Sequence, residues 1–348
     1  MHMADALISP AVGGTMWLVS AGLIAYCARK VKQTMNDRLV PMMGVLGAFI
    51  FAAMMINFSI PGTGSSGHLG GGLILSILLG PQAAFLVIAS VLTVQALFFA
   101  DGGLLALGCN IFNLGFFPAF IAYPFLYRSI ARNEYGTLRA WLAAIVAAVV
   151  GLQLGAFSVV LETKASGISD LPFGTFVLLM LPVHLAIAIV EGLATAAVVA
   201  FVARARPEAM LTEQTKENKS VSLAPVLVGL IVAALVGGGG LSWFASTHPD
   251  GLEWSIAKVT GKENVSGVED NLHKKLGQLQ EKTAFLPDYS FKSSEGESAP
   301  EKDATAKAER WPAISAGRSL SGIVGGLLTL GLAGLVGLAL KAGRAGVT

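Results

Sequence analysis

Charge is scarce in this chain of 348 residues: Asp, Glu, Lys and Arg make up 13% of it, against 54% hydrophobic residues. Mean hydropathy is +0.67. A soluble globule of this size could not bury that much apolar surface, so the bilayer is the expected solvent. A net charge of +2 is too small for a nucleic-acid partner, which needs Lys and Arg clustered on one face. Cysteine is nearly missing too. Cys27 and Cys109 both lie inside apolar runs and read as small buried hydrophobes, not as a disulfide framework or a metal cluster. No G-x-x-x-x-G-K-[ST] loop occurs, because Gly70-Gly71-Gly72 runs on into apolar residues without a lysine. H-E-x-x-H, Cys-x-x-Cys and nucleophile-elbow patterns are absent as well. The chain is therefore expected to be no enzyme and to carry no ATPase site of its own.

What is abundant is apolar sequence in lengths that suit a membrane. A helical crossing takes about 20 residues, at about 1.5 Å each through a core about 30 Å thick. Nine stretches qualify: 11–28, 40–58, 69–80, 82–100, 104–127, 138–161, 173–203, 223–245 and 318–340. The third is short, and Gly80-Pro81 between it and the fourth leaves one kinked helix over 69–100 as the competing reading.

Basic residues choose between the two, since short cytoplasmic loops are rich in Lys and Arg. Arg29, Lys30, Lys32 and Arg38 follow the first stretch; Arg128, Arg132 and Arg139 flank the 128–139 loop. Arg204, Arg206, Lys216 and Lys219 fill the 204–222 region, and Lys341 and Arg344 stand near the end. Only two crossings in 69–100 put all four groups inside. The expectation is an all-α polytopic membrane protein with about nine crossings and the N-terminus outside. It divides into a seven-helix core over 1–205, a cytoplasmic linker over 206–222 and a two-helix module over 223–340. That module comprises helix 223–245, external loop 246–317 and helix 318–340. Within the loop, Val268, Leu272, Leu276 and Leu279 recur at helical spacing, and Ser293 to Lys307 is polar enough to be a flexible linker. No basic n-region or cleavage site precedes Arg29, so Met1 is expected to remain.

This topology brings Met1-His2 and the 59–68 loop to the same external face. A free α-amine, the amide nitrogen of residue 2 and its imidazole form fused chelate rings around one ion. Such a nitrogen set suits Ni(II) or Cu(II), which favour planar geometry. His68, closing Gly62-Thr63-Gly64-Ser65-Ser66-Gly67-His68, can supply a fourth nitrogen, and the small residues let the loop approach closely. The bland alternative is a solvated His2 and a His68 that merely ends a flexible loop. His184 and Glu191, seven positions apart on one helical face, are intramembrane ionisable residues. They suit a satisfied structural network or a partner contact better than direct ligation. Asp101, Asn110 and Asn113 could orient the histidines or simply cap helices. His273 reads as solvated.

The opening MHMADALISP, the run FAAMMINFSIPGTGSSGHLGGGL and the segment QALFFADGGLLALGCNIFNLG resemble the CbiM/NikM family over about residues 1–205. These are the substrate-binding components of cobalt and nickel energy-coupling-factor transporters. The resemblance implies ligation by the amine of Met1, the amide and imidazole of His2, and His68. It also implies Ni2+ or Co2+ as transported substrate, a transmembrane coupling (T) component and two ATP-binding cassette subunits that use the ATP, and a multi-pass place in the bacterial inner membrane among its lipids. His248-Pro249-Asp250-Gly251-Leu252-Glu253 contains the PDGLE signature of the small N component, so the chain is similar to a fused M–N protein. His248, Asp250 and Glu253 are then either a transient relay or, more simply, a turn and helix start.

The function expected is capture of a divalent transition metal, nickel ahead of cobalt, for an ATP-driven importer. An ATPase-independent channel or secondary transporter would want more intramembrane carboxylates and histidines than His184 and Glu191. A membrane metal enzyme or assembly factor would want an open coordination position beside acid–base groups.

Overall fold

The computed structural model describes residues 2–205, 223–262, 270–292 and 312–345. Met1, the 206–222 linker, Val268 and the Ser293 to Lys307 stretch lie outside the described residues. Helices dominate: α1 (Pro10–Thr34), α2 (Leu39–Met54), α3 (Gly72–Leu79), α4 (Pro81–Phe99), α5 (Leu107–Ala131), α6 (Leu138–Ser166), α7 (Phe173–Ala205), α8 (Ala224–Gly239), α9 (Gly251–Thr260), α10 (Asn271–Thr283) and α11 (Ala316–Ala345). Six of them, α1, α4, α5, α6, α7 and α11, are long and apolar enough to cross a membrane, and α2 and α8 are shorter apolar helices. The protein is a multi-pass, all-α membrane protein.

Each expected apolar stretch contains a helix among the described residues, but the helix in the third is too short to span a bilayer. Eight residues of α3 rise only about 12 Å. The rest of that passage is buried non-helical backbone at Gly70 and Gly71, a conformation membranes tolerate where protein surrounds it. Gly80, at φ +81°, then turns the chain so that α3 and α4 pack against each other as two helices. In the middle of α5, Phe112–Tyr127 widens into a π-helical stretch holding Pro118 and Pro124, whose rings remove amide donors and crowd the preceding turn.

α4 is buried nearly all round and forms the centre of the bundle. α1 buries only Gly13, Ser20, Cys27 and Val31, a narrow stripe, while Trp17, Leu18 and Val19 face outward as lipid-exposed residues do. Cys27 and Cys109 are free and buried. α8 and α11 lean on α2 and on each other. Their crossing is close enough that a Cβ on Gly322 would stand 2.3 Å from the Gly238 carbonyl oxygen. Small residues are what let membrane helices approach this far. Gly322→Val is expected to cost about 1–3 kcal/mol by overpacking. Thermal unfolding in detergent reads this, and an unchanged midpoint would show that the two helices do not depend on this contact.

α11 sets the scale between the two ends. Arg318 lines a cavity at one end, and Lys341, about 35 Å further along the axis, pairs with Asp37 at 2.7 Å at the other. That far end also carries Lys32, near Gly343. The near end gathers residues 2–8, the hairpin of β1 (Phe58–Ile60) and β2 (Ser65–Gly67), the 100–106 turn and the start of α9.

Candidate metal centre

The N-terminal segment is threaded into the bundle. Met3 is fully buried; its amide donates to Asn110 Oδ1 at 2.8 Å, and its carbonyl accepts from Asn110 Nδ2 at 3.2 Å and from the Gly103 amide at 2.9 Å. Asp5 Oδ1 accepts the Ala106 amide at 2.9 Å. Gly102 and Gly103 make room: a Cβ on Gly103 would fall 1.9 Å from Asp5 Oδ1, and Gly102 adopts φ +84°. The register of residue 2 is thereby fixed from behind.

The second strand of approach is the hairpin. β1 and β2 pair antiparallel, with Gly62 and Gly64 at φ +78° and +77° in the turn. Ser65 and Ser66 are fully buried, so the glycine-rich loop is an ordered hairpin and the alternative of a flexible loop ending at His68 does not hold. Just past it, the Gly70 and Gly71 amides donate to the two carboxylate oxygens of Glu191 at 2.6 and 2.9 Å. Glu191 thus anchors the chain that leaves His68. His184 and Glu191 are both buried, but they are not partners of each other: His184 Nδ1 donates to the Met180 carbonyl at 2.8 Å.

These two approaches bring His2 and His68 together, with rings stacked at 5.1 Å between centroids and 19° between planes. His68 Nδ1 donates to the Leu69 carbonyl at 3.0 Å, which fixes the tautomer and leaves the Nε2 lone pair free. His2 Nδ1 lies 3.4 Å from Asp101 Oδ1, and its Nε2 is buried with no hydrogen-bond partner. Burial holds His2 down at about 3 and His68 at about 4, so both rings are neutral, the form that ligates metal. Burial raises the Asp101 carboxyl, and the Tyr289 hydroxyl that donates to it works the other way. Among the described residues no three His, Cys, Asp or Glu side chains form a metal cluster by themselves. A site here needs backbone or terminal nitrogens, and Met1, the expected source of the amine, lies outside the described residues.

A cavity of about 230 Å³ opens over the histidines, lined among others by His2, His68, Asp101, His248, Asp250 and Tyr289. Its roof comes from the C-terminal module. Ser66 donates its amide to the Pro249 carbonyl at 2.8 Å and its hydroxyl to the His248 carbonyl at 2.8 Å, and Trp254 Nε1 donates to the Thr63 carbonyl at 2.9 Å. Asp250 and Glu253 form a reciprocal capping box at the start of α9. The turn-and-helix-start reading of the PDGLE signature therefore holds, and the same turn also faces the histidines.

Several participants were not legible beforehand. Tyr289 stacks on Phe99 at 5.2 Å and reaches Asp101 from the far module. Asn113, offered as an orienting group, instead donates to Glu162 at 2.7 Å. His273 is not solvated: its Nε2 bonds the Asp5 and Ile8 carbonyls at 3.1 and 2.9 Å, and its Nδ1 sits 2.8 Å from Asp270. Burial opposes its charge, but Asp270 and the two carbonyls prevail and raise its pKa. A raised folded-state pKa stabilises fully below the unfolded value, about 6.5, and is lost as pH rises through the folded value. Amide-exchange protection of residues 5–8 is thus expected to fall as pH rises above that range, after correction for intrinsic rates. Protection that stays level, or that His273→Gln leaves unaltered, would show that the His273 bonds to the Asp5 and Ile8 carbonyls do not hold this turn.

Residues 2–209 match the family described as the cobalt uptake substrate-specific transmembrane region, CbiM, and residues 224–342 match the PDGLE domain. A metal transport protein of Haloquadratum walsbyi is 36% identical over 222 residues, 63% of this chain and 98% of that one. A protein of Archaeoglobus fulgidus described as the fused nickel transport protein NikMN is 36% identical over 239 residues, covering 68% of this chain and 76% of the relative. The cobalt transport protein CbiM of Geobacter sulfurreducens is 27% identical over 214 residues, 60% and 61% of the two chains. A crystal structure of a transition metal transporter superposes with a TM-score of 0.53 at 29% identity, covering 60% of this chain and 95% of that one.

Proposed function

The chain belongs to the CbiM family and carries a PDGLE domain behind it, and from that premise we propose that it captures Ni(II), with Co(II) second, for an ATP-driven importer. It is a membrane component of nickel or cobalt transport. The observation that carries the proposal of capture is the stacked pair His2 and His68, drawn together from distant segments beneath a cavity open to the PDGLE turn. With the amine of Met1 and the amide of His2, these rings complete a four-nitrogen set. A planar nitrogen field suits Ni(II) better than Co(II), while availability keeps out the intrinsically tighter Cu(II).

Energy comes from elsewhere in this reading. A transmembrane coupling component and two ATP-binding cassette subunits supply it, and this chain reorients so that the loaded end reaches the other side. Glu191 supports the choice over a channel or secondary transporter: its two carboxylate oxygens are occupied by the Gly70 and Gly71 amides rather than offered to a permeating ion. Core, linker and module take the divisions 1–205, 206–222 and 223–340, with the module as the roof over the metal.

The deciding experiment reconstitutes the full chain in ATP-loaded proteoliposomes, with and without the coupling and ATPase components, and follows Ni(II) accumulation. Uptake is expected only when the partners and ATP are present. Equal uptake by the chain alone would turn the reading into that of a channel or secondary transporter.

A further inference from the structure

Beneath the histidine pair lies a second, much smaller cavity of about 10 Å³, lined by His68, His184, Asp250 and the apolar side chains of Leu114, Leu152 and Ile187. The volume is that of one water or one ion. His68 and Asp250 line both this cavity and the larger one above it, so they form the wall between the two.

His184 belongs to the lower cavity alone. It sits within α7 and is 1% exposed. Its Nδ1 is committed as donor to the Met180 carbonyl at 2.8 Å, which leaves Nε2 with a lone pair, and that atom is buried with no partner. An orphaned buried nitrogen is unfavourable unless a ligand satisfies it. The ring is held beside the PDGLE turn, since a Cβ on Gly251 would stand 3.0 Å from His184 Cε1. His68 shows the same arrangement, with Nδ1 bonded to a carbonyl and Nε2 free. Two imidazoles with fixed tautomers and one carboxylate around a space for a single particle are the donor types that divalent Ni, Co and Zn accept.

We infer that His184, with His68 and Asp250, forms an inner station for the divalent cation, to which His68 hands the ion from the terminal chelate. The inference rests on the reading that this end of the molecule takes the metal. Among the described residues no ready-made cluster exists, so the three donors draw together only when the ion enters. Weak holding is what a relay needs, since a tight site would trap its cargo. The two stations share a ligand and are filled in turn, not together.

The test uses Co(II) as probe and the full-length protein, followed by visible absorption and by titration calorimetry. His2→Ala disables the outer chelate and leaves the inner donors in place. This variant is expected to bind one Co(II) at least about tenfold more weakly than the parent, with the intense absorption of a low-coordinate site. Adding His184→Asn, which keeps a group near Nδ1 but removes Nε2, abolishes that signal. Adding Asp250→Asn, which preserves the helix cap, weakens it a further tenfold or so and decides the matter should the His184 variant not fold. If His2→Ala with and without His184→Asn binds Co(II) identically, or if His2→Ala binds none, the inner station does not exist. Failure of the outer reading is separately visible, as parental affinity in His2→Ala itself.

Discussion

His2→Ala and His68→Ala are each expected to weaken Ni(II) binding by at least about 100-fold, roughly 2.7 kcal/mol. Four donors arranged as one chelate act as a unit, so either loss dismantles it, and the double variant also lacks the ligand that the inner station shares. The structure makes a companion result equally informative. Neither imidazole supports the metal-free fold strongly. His2 Nε2 is buried without a hydrogen bond of good geometry, the ring's contacts with Asp101 (3.4 Å from Nδ1) and Gln95 are weak, and beyond the ring stack His68 bonds the carbonyl of the next residue. Removing a buried unsatisfied nitrogen relieves a penalty. The metal-free unfolding midpoint of His2→Ala is therefore expected to stay or rise while affinity collapses, the signature of a residue kept for function at some expense of stability. Calorimetric titration and thermal unfolding of the same preparations give both readouts. Affinity and stability falling together would mean that His2 is a packing residue, and the chelate would have to be abandoned.

Glu191→Gln is expected to have the next largest effect, and it acts at a distance. Both carboxylate oxygens accept a backbone amide, from Gly70 at 2.6 Å and Gly71 at 2.9 Å, in a fully buried position. An amide side chain offers one acceptor and sets an NH2 against the other backbone N–H. The orphaned donor and the lost charge-assisted bond together cost about 2–3 kcal/mol. Gly71, at φ +74° with Ile50 packed against it, has no slack to take up the change. The displaced segment begins two residues after His68, so Ni(II) affinity is expected to drop about tenfold even though Glu191 touches no metal. Cold titration, where the fold is intact, separates the two effects. Normal affinity in a destabilised protein would leave Glu191 a purely structural anchor.

Much of this was legible in the sequence, for a reason that also explains what was not. Segments such as 138–161 and 173–203 announce α6 and α7, because membrane insertion is decided by local hydropathy alone. His2 and His68 stood out because an imidazole at a chain terminus and another closing a glycine-rich run have little structural excuse. In the sequence the segment before His68 shows only as a glycine-rich loop, since its order comes from Pro249 and Trp254 nearly two hundred residues away. Spacing alone placed His184 and Glu191 on one face and suggested a shared network. Their partners are instead a helix carbonyl and the two glycine amides, contacts no periodicity encodes. Likewise His273 lies on the polar side of α10 and looks solvated until the N-terminal turn is packed against it. Tyr289 reaches Asp101 only because the second module folds over the first.

That folding-over has a consequence for dosage. The PDGLE turn is sewn to the histidine hairpin by bonds from Ser66 and Trp254, and both partners belong to one polypeptide. Encounter between roof and site is then intramolecular, at an effective concentration in the millimolar range for a short tether. Every copy made arrives already equipped with its roof, in a fixed one-to-one ratio. Were the same two parts separate proteins, the fraction of covered sites would follow their abundances and dilution in the bilayer. Joined, it is set by the hairpin contacts alone, so the protein's behaviour should be insensitive to expression level over the range in which a split pair would fall apart.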